Sequence, residues 1–301
     1  MKKVYLLPAQ EDWIVDRFVK EWSEDNSDIT TDNPLGADVI WLLASWRWLD
    51  FFRIYNVNGK KILTTVHHIV PEKFDQQQKK NFLLRDELTT AYHVYNSKTA
   101  DVISKITKKP IHIIEYWANQ KIWRQTEGKE SLRKKYSLPT DGYLIGSFQR
   151  DTEGYDLKTP KLEKGPDLFV EAVKKYWDKN KKVHVVLAGW RRQYVMSRLQ
   201  EMGIPFTYFD RPEQVILNDL YQTLDLYPVT SRHEGGPQSL IECGLLNVPV
   251  VSREVGIANV VLEKHSINND VVLAKPSIPN VNRLILPHGY EPYRNLISNI
   301  L

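Results

Sequence analysis

The sequence predicts an α/β protein built from parallel sheets in two domains, and three observations predict it. Short apolar, β-branched runs alternate with amphipathic segments along the chain, the pattern of βαβ units. A length of 301 residues is enough for two domains, at the usual prior of roughly 150 residues each. A polar, basic stretch at 120–136 runs into Ser137-Leu138-Pro139-Thr140-Asp141-Gly142, a turn-rich break between two such series.

The first series opens with a strand at 4–7 and a helix at 13–22, where Trp13, Ile14, Phe18 and Trp22 form an apolar helical face. Further strands are expected at 38–43, 61–66, 93–95 and 111–115, each followed by a helical or polar stretch. The second series restarts with a strand at 143–148 and a Gly- and Pro-punctuated loop over 151–166. A helix at 167–177 and a buried strand at 183–187 follow, the strand ending in Ala188-Gly189. Then come a helix at 194–201, a strand at 206–208, a helix at 214–223 and a strand at 226–229. Glu234-Gly235-Gly236-Pro237 opens another helix, and 249–252 is the last strand of the series. The expected domains are 1–125 and 126–285, with a C-terminal helix over 286–301 returning to the first domain.

Composition removes several classes. A hydrophobic fraction of 42% with 26% charged residues is ordinary globular composition, which excludes disordered and fibrous chains. Forty-one Lys and Arg against 37 Asp and Glu leave a net charge of +4. That mild excess suits a phosphorylated ligand, but it is dispersed and too small for nucleic-acid binding. The lone Cys243 excludes a disulfide framework or cysteine-rich zinc site and fits a reducing compartment. No apolar run approaches the roughly 18 residues of a membrane span. Lys2 and Lys3 are followed by Pro8, Glu11 and Asp12, which end the apolar run before a signal core forms. A cytoplasmic location with at most peripheral membrane contact is expected.

The dinucleotide fingerprint, the P-loop, the Gly-x-Ser-x-Gly elbow and the His-Glu-x-x-His helix are all absent from the sequence. So is an Asp-x-Asp pair, and no metal ligand is assigned. The stretch that carries chemistry is Ser231-Arg232-His233-Glu234-Gly235-Gly236-Pro237-Gln238-Ser239-Leu240-Ile241-Glu242, which follows a strand and opens a helix. Gly235 and Gly236 leave backbone N–H groups approachable, and the helix N-terminus adds positive partial charge, so a phosphate is the natural guest. Glu234 lies at the mouth, and Glu242 sits inside the helix on an azimuth near Gln238 and Ser239. Two carboxylates so placed can hold two separate diols of one elongated ligand. The competing reading is an ordinary βα turn with surface acids.

This stretch resembles the Glu-x7-Glu motif of retaining nucleotide-sugar glycosyltransferases of family 4 (group 1), which have the GT-B fold. Other segments resemble the family in order along the chain. They are Tyr95-Asn96-Ser97-Lys98-Thr99-Ala100, Ile114-Glu115-Tyr116-Trp117-Ala118-Asn119 and Leu132-Arg133-Lys134-Lys135-Tyr136-Ser137-Leu138-Pro139. Ile145-Gly146-Ser147-Phe148-Gln149-Arg150 and Glu163-Lys164-Gly165-Pro166-Asp167-Leu168 resemble the two halves of its "GR…KG" signature, and Asn247-Val248-Pro249-Val250-Val251 its following strand. The resemblance is specific in the second domain and loose in the first.

The resemblance implies two Rossmann-like parallel-sheet domains facing an interdomain cleft, acceptor on the first and nucleotide sugar on the second. It implies a metal-independent, hexosyltransferase-like enzyme with no cofactor, which moves a sugar from a UDP- or GDP-sugar to a hydroxyl of a glycan, lipid-linked or small-molecule acceptor. Glu242 would hold the ribose hydroxyls and Glu234 those of the transferred sugar. Gly235 and Gly236, with Pro237, Gln238 and Ser239 at the helix start, would face the donor. Lys164 and Arg150 would neutralise the diphosphate, whose charge grows as the anomeric bond breaks. Ala188-Gly189 and Phe209-Asp210-Arg211 stand where the family seats the base, with Arg191 and Arg192 nearby. One of His67 and His68, at the end of a strand, would face the donor sugar.

Two departures stand out. An insertion at 151–163 separates Arg150 from Lys164 and makes Lys158 and Lys161 rivals, and the loop Pro8-Ala9-Gln10-Glu11-Asp12 has acids where the family has glycines. The aromatic cluster Trp41, Trp46, Trp48, Phe51 and Phe52 is read as core packing and Cys243 as a small buried hydrophobe. The alternatives to a transferase are a catalytically silent GT-B sugar-nucleotide-binding or scaffold subunit and a nucleotide-sugar epimerase.

Overall fold

The structure is a computed structural model that describes residues 2–11 and 14–300. Asp12 and Trp13 of the expected loop and helix lie outside the described residues. The chain divides into two compact units, 1–115 with 290–301, and 116–289.

The first unit runs β1 (Val4–Leu6), α1 (Ile14–Asp25), β2 (Val39–Leu42), α2 (Trp48–Ile54), β3 (Lys61–Val66), α3 (Gln76–Leu88), β4 (Ala91–Val94), α4 (Ser97–Ile103) and β5 (Ile111–Ile113). The strands are parallel, in the order β1-β2-β3-β4-β5. On the other side of β1, Val4 makes a further parallel bridge to Thr30. The chain therefore winds outwards one way after β1 and the other way from β2 onwards, a doubly wound sheet that reverses between β1 and β2. All four residues of β2, Val-Ile-Trp-Leu, are buried, as a parallel strand covered on both faces requires. Asn96 caps α4 by accepting from the Thr99 N–H at 2.8 Å, and Asp75 caps α3 from the Gln78 N–H at 2.8 Å.

The second unit runs α5 (Lys129–Lys135), β6 (Tyr143–Ser147), α6 (Pro166–Lys179), β7 (Val183–Ala188), α7 (Gln193–Glu201), β8 (Phe206–Phe209), α8 (Gln214–Gln222), β9 (Tyr227–Val229), α9 (Gln238–Leu246), β10 (Val250–Ser252) and α10 (Ala258–Val261). Strands β6-β7-β8 form one parallel group and β10-β9 another. A parallel bridge between Ile145 and Leu226, with the Gly146 N–H donating to the Leu226 carbonyl at 3.0 Å, lays β9 beside β6. The spatial order is thus β10-β9-β6-β7-β8, and the winding reverses between β6 and β9. Phe169 and Val173 of α6 and Val195 and Leu199 of α7 pack on Val185 and Leu187 of β7.

The last helix, α11 (Glu291–Ile300), belongs to the first unit. Its Tyr293 stacks on Trp41 at 5.4 Å between ring centroids, and Trp22 meets Trp41 edge-on at 5.5 Å. Of the aromatic cluster expected in the core, Trp41 and Phe51 are buried, but Trp46 is 50% exposed. It sits in the tight turn Ser45–Arg47 that follows β2.

Candidate active site

Open doubly wound sheets present a crevice at the carboxyl ends of the strands where the winding reverses. In the second unit that point lies beyond β6 and β9. There the segments 163–165 and 230–233 are zipped together by the carbonyls of Glu163 and Gly165, and Gln149 holds the Lys164 carbonyl between them. Glu163 O accepts from the N–H groups of Arg232 and His233 at 2.8 and 3.2 Å. Lys164 O accepts from Gln149 Nε2 at 2.9 Å, and Gly165 O from the Thr230 hydroxyl at 2.9 Å. Gly165 makes the approach feasible: its φ is +62°, and a Cβ there would stand 2.1 Å from the Thr230 carbonyl oxygen. Arg232 braces the same junction through a two-pronged pair with Asp167 at 2.8 and 2.7 Å.

The zipper delivers Lys164 to Glu234. Lys164 Nζ donates to Glu234 Oε1 at 2.6 Å, and the Ser231 hydroxyl donates to the same oxygen at 3.0 Å. The two side chains are only 23% and 10% exposed. An ammonium carries three hydrogens, so Lys164 keeps two for a ligand after meeting Glu234. Glu242, in the second turn of α9, is buried and accepts from the Tyr221 hydroxyl of α8 at 2.7 Å. Burial, reinforced by that carboxylate, pushes the Tyr221 phenol well above its usual value and keeps it a hydrogen donor.

The remaining candidates of this unit are placed as follows. Gly235, Gly236 and Pro237 are buried, and the space that a Cβ on residue 236 would take belongs to the Tyr116 ring, 2.7 Å away. Pro237 stands in the position just before α9 rather than in its first turn, with Gln238 and Ser239 opening the helix. Arg150 Nε donates to Thr152 O at 2.8 Å, and its guanidinium lies 5.3 Å from the centroid of the Trp190 ring, which Arg191 also approaches at 5.2 Å. The insertion is pinned rather than loose. Its Asp151 accepts from the N–H groups of Tyr194 and Val195 at 3.2 and 3.4 Å and pairs with Arg192 at 3.2 Å. Arg192 is wholly buried and serves Asp151 and Ser147 beneath the strand ends. Lys161 pairs with Glu163 at 3.4 Å, and Lys158 is exposed. Asp210, exposed beyond β8, accepts from Tyr208 at 2.9 Å and pairs with Arg211 at 3.4 Å. Cys243 is buried, and burial raises its thiol well above the usual value.

In the first unit His67 and His68 follow β3. The Nε2 of His67 bonds the Leu43 carbonyl at 2.9 Å, and since a carbonyl only accepts, that nitrogen carries the hydrogen. Burial lowers the His67 pKa to about 4, with His68 adding to the effect, so the ring is neutral near pH 7. The loop after β1 is closed by an acid of α1: Asp16 accepts from the Gln10 and Glu11 N–H groups at 2.9 and 2.8 Å. A side-chain carboxylate thus occupies backbone donors of the kind that a phosphate would use.

Residues 157–280 match the family described as glycosyl transferases group 1. No curated protein matches the chain. Among solved structures, HepE of Anabaena in complex with UDP-glucose is similar at 14% identity, over 91% of this chain and 88% of that one, with a TM-score of 0.73. A glycosyltransferase from Rickettsia africae matches at 17% identity over 99% of each chain, with a TM-score of 0.60. Sucrose-phosphate synthase from Thermosynechococcus elongatus matches at 14% identity over 94% of this chain and 69% of that one, with a TM-score of 0.59. These likenesses show the fold: parallel-sheet α/β units of the GT-B class.

Among the described residues no helix is long and apolar enough to cross a membrane, and no group of three or more His, Cys, Asp or Glu side chains is placed to hold a metal ion. Gln149, Ser231 and Tyr221 hold Lys164, Glu234 and Glu242 in place, a role that the sequence assigned to none of them. Gln149 and Ser231 lie inside the two stretches singled out in the sequence, which is the signal that could have flagged them, whereas Tyr221 lies outside any such stretch.

Proposed function

We propose that this protein is a retaining glycosyltransferase of family 4 that transfers a hexose from a nucleotide diphosphate sugar to a hydroxyl acceptor without a metal ion. The observation that carries the proposal is the Lys164–Glu234 pair, set at the reversal point of the second sheet in the segment similar to group 1 glycosyl transferases. Breaking the anomeric carbon–oxygen bond sends the electron pair to the leaving diphosphate. The two uncommitted hydrogens of Lys164 meet that growing charge, at no cost of reorganisation because Glu234 already fixes the ammonium. Glu234 receives hydroxyls of the transferred sugar, and Glu242, steadied by Tyr221, receives the ribose diol. Gly235, Gly236 and Pro237, with Gln238 and Ser239 at the start of α9, lie along the phosphates, with Arg150 a second cation and Asp210 near the base. His67 or His68 of the first unit serves the sugar. A UDP-sugar is the favoured donor, since the similar HepE structure holds UDP-glucose. The working location is the cytoplasm.

The test is a binding and hydrolysis screen across UDP-, GDP- and ADP-sugars, run with and without EDTA. A UDP-sugar is expected to bind and to be cleaved slowly in both conditions. Binding without any cleavage or transfer would point to a silent subunit, and an absolute, reversible need for a divalent cation would remove the metal-free mechanism.

A further inference from the structure

A cavity of about 350 Å³ opens in the first unit between the ends of β2 and β3 and the α3 helix, lined by Trp46, His67, Lys73, Gln78, Asn81 and Arg85 among others. Its chemistry is lopsided. Two permanent cations line it and no carboxylate does. Arg85 gives one guanidinium hydrogen to the Ser45 carbonyl at 3.2 Å, its Nε is buried without a hydrogen-bond partner, and it forms no ion pair with a described residue. The adjacent acid on α3, Asp86, lends Arg85 favourable charge without forming an ion pair with it; its Oδ1 accepts from Tyr92 at 2.9 Å and Thr107 at 2.6 Å. A partly buried guanidinium that lines the cavity without an ion-pair partner, backed by the Phe82 ring at 5.4 Å, suits an oxyanion.

Beside it stands Trp46, half exposed, its ring 5.7 Å from that of His67. An indole held open to solvent at a cavity wall offers an apolar face to a ring-shaped ligand. The volume lies at the lower end of the roughly 300–1,000 Å³ of ligand pockets, room for one charged sugar unit rather than a long chain.

We infer that this cavity is the acceptor subsite and that the acceptor carries an anionic group, a phosphate or a carboxylate, held by Arg85 and Lys73 while its sugar ring lies on Trp46. This rests on the glycosyl-transfer reading above. Phosphate and carboxylate share the chemistry that Arg85 reads, and the test separates them.

The full chain is titrated calorimetrically with glucose, glucuronate, glucose 6-phosphate and inorganic phosphate, and separately with UDP. At least one of the two charged sugars is expected to bind about tenfold tighter than glucose, the scale of one charge-assisted hydrogen bond. Glucose 6-phosphate ahead of glucuronate identifies a phosphorylated acceptor, and the reverse a uronate. Arg85→Gln and the exposed Lys73→Gln should each remove most of that preference while UDP affinity stays unchanged, and Trp46→Ala should weaken the charged sugars but not inorganic phosphate. Glucose binding as well as both charged sugars, no binding of any sugar at tens of millimolar, or charged-sugar affinity untouched in both the Arg85 and Lys73 variants overturns the inference. UDP binding that survives such a failure leaves the donor reading standing, whereas lost UDP binding with an intact preference for charged sugars counts against the donor reading alone.

Discussion

Lys164 Nζ lies 2.6 Å from Glu234 Oε1, although 70 residues of chain separate the two. The contact joins a group suited to a leaving diphosphate with a group suited to a sugar, so each substitution has its own signature. Lys164→Met should lower kcat by about 10²-fold, the scale of losing one preorganised electrostatic group, with a smaller change in KM. Glu234→Gln keeps the shape and the acceptor oxygen for Lys164. It should blunt discrimination between donor sugars and leave free-nucleotide inhibition nearly intact. Steady-state series on the cognate donor check both, and a Lys164 variant that changes only KM would reverse the assignment.

Tyr221→Phe deletes the hydroxyl that donates to Glu242. The loss should cost about 1 kcal/mol of stability and weaken UDP binding several-fold, because the carboxylate loses one hydrogen bond that orients it. Glu242→Ala should weaken UDP by about 1.5–3 kcal/mol. Calorimetry with UDP is the measurement, and equal affinity in parent and both variants would remove the ribose role.

Gly165 and Gly203 both have positive φ, +62° and +65°, but only Gly165 faces a neighbour, with nothing within 4 Å of a Cβ at Gly203. Gly203→Ala should therefore cost only the backbone term of about 1 kcal/mol. Gly165→Ala must also push Thr230 aside, so a loss of more than about 2 kcal/mol is expected, with turnover falling as Lys164 and Glu234 part. Urea unfolding of the two variants side by side isolates the clash, and equal losses would show that the zipper yields easily.

His93 supplies a pH dependence. Trp41 Nε1 donates to Thr65 Oγ1 at 2.8 Å, Thr65 donates to His93 Nδ1 at 3.0 Å, and His93 Nε2 donates to Ile114 O at 3.0 Å. That chain needs Nδ1 unprotonated, and burial lowers the His93 pKa to about 3, with His67 and His112 adding to the effect. In the unfolded chain the same ring titrates near 6.5, so between these values the unfolded state binds more protons than the native one. The contribution is present above pH 6.5 and is lost as pH falls towards 3, at up to about 1.4 kcal/mol per pH unit. Urea midpoints from pH 4 to 7.5 should fall with pH in the parent and fall less steeply in His93→Gln. Parallel slopes would assign the acid sensitivity to other groups.

Much of the fold was legible because both sheets are parallel and buried. Runs such as Val183–Ala188 are apolar almost throughout, and their helices carry regular apolar faces. The α3 helix gave no such signal: in Gln-Gln-Gln-Lys-Lys-Asn-Phe-Leu-Leu-Arg-Asp-Glu-Leu only Phe82 is buried, so periodicity is lost among exposed residues. The Glu234 to Glu242 stretch stood out because its glycines, proline and acids are local in sequence. Tyr221 and Arg85 did not, since each acquires its partner through tertiary packing between elements that no spacing rule connects. Trp46 was misread because residues two apart on a strand-to-helix turn face different surroundings, a distinction that composition does not carry.

The first unit takes Tyr290 and Tyr293 into its aromatic core from residues that follow the whole second unit in the chain. During synthesis, the ribosome delivers the five strands of the first sheet before the second unit and the aromatic residues that complete their core only after it. The second unit has all its strands in hand before then. The half made first is thus the half finished last, and until its closing helix emerges it must wait with Trp22 and Trp41 uncovered, a natural client for a chaperone.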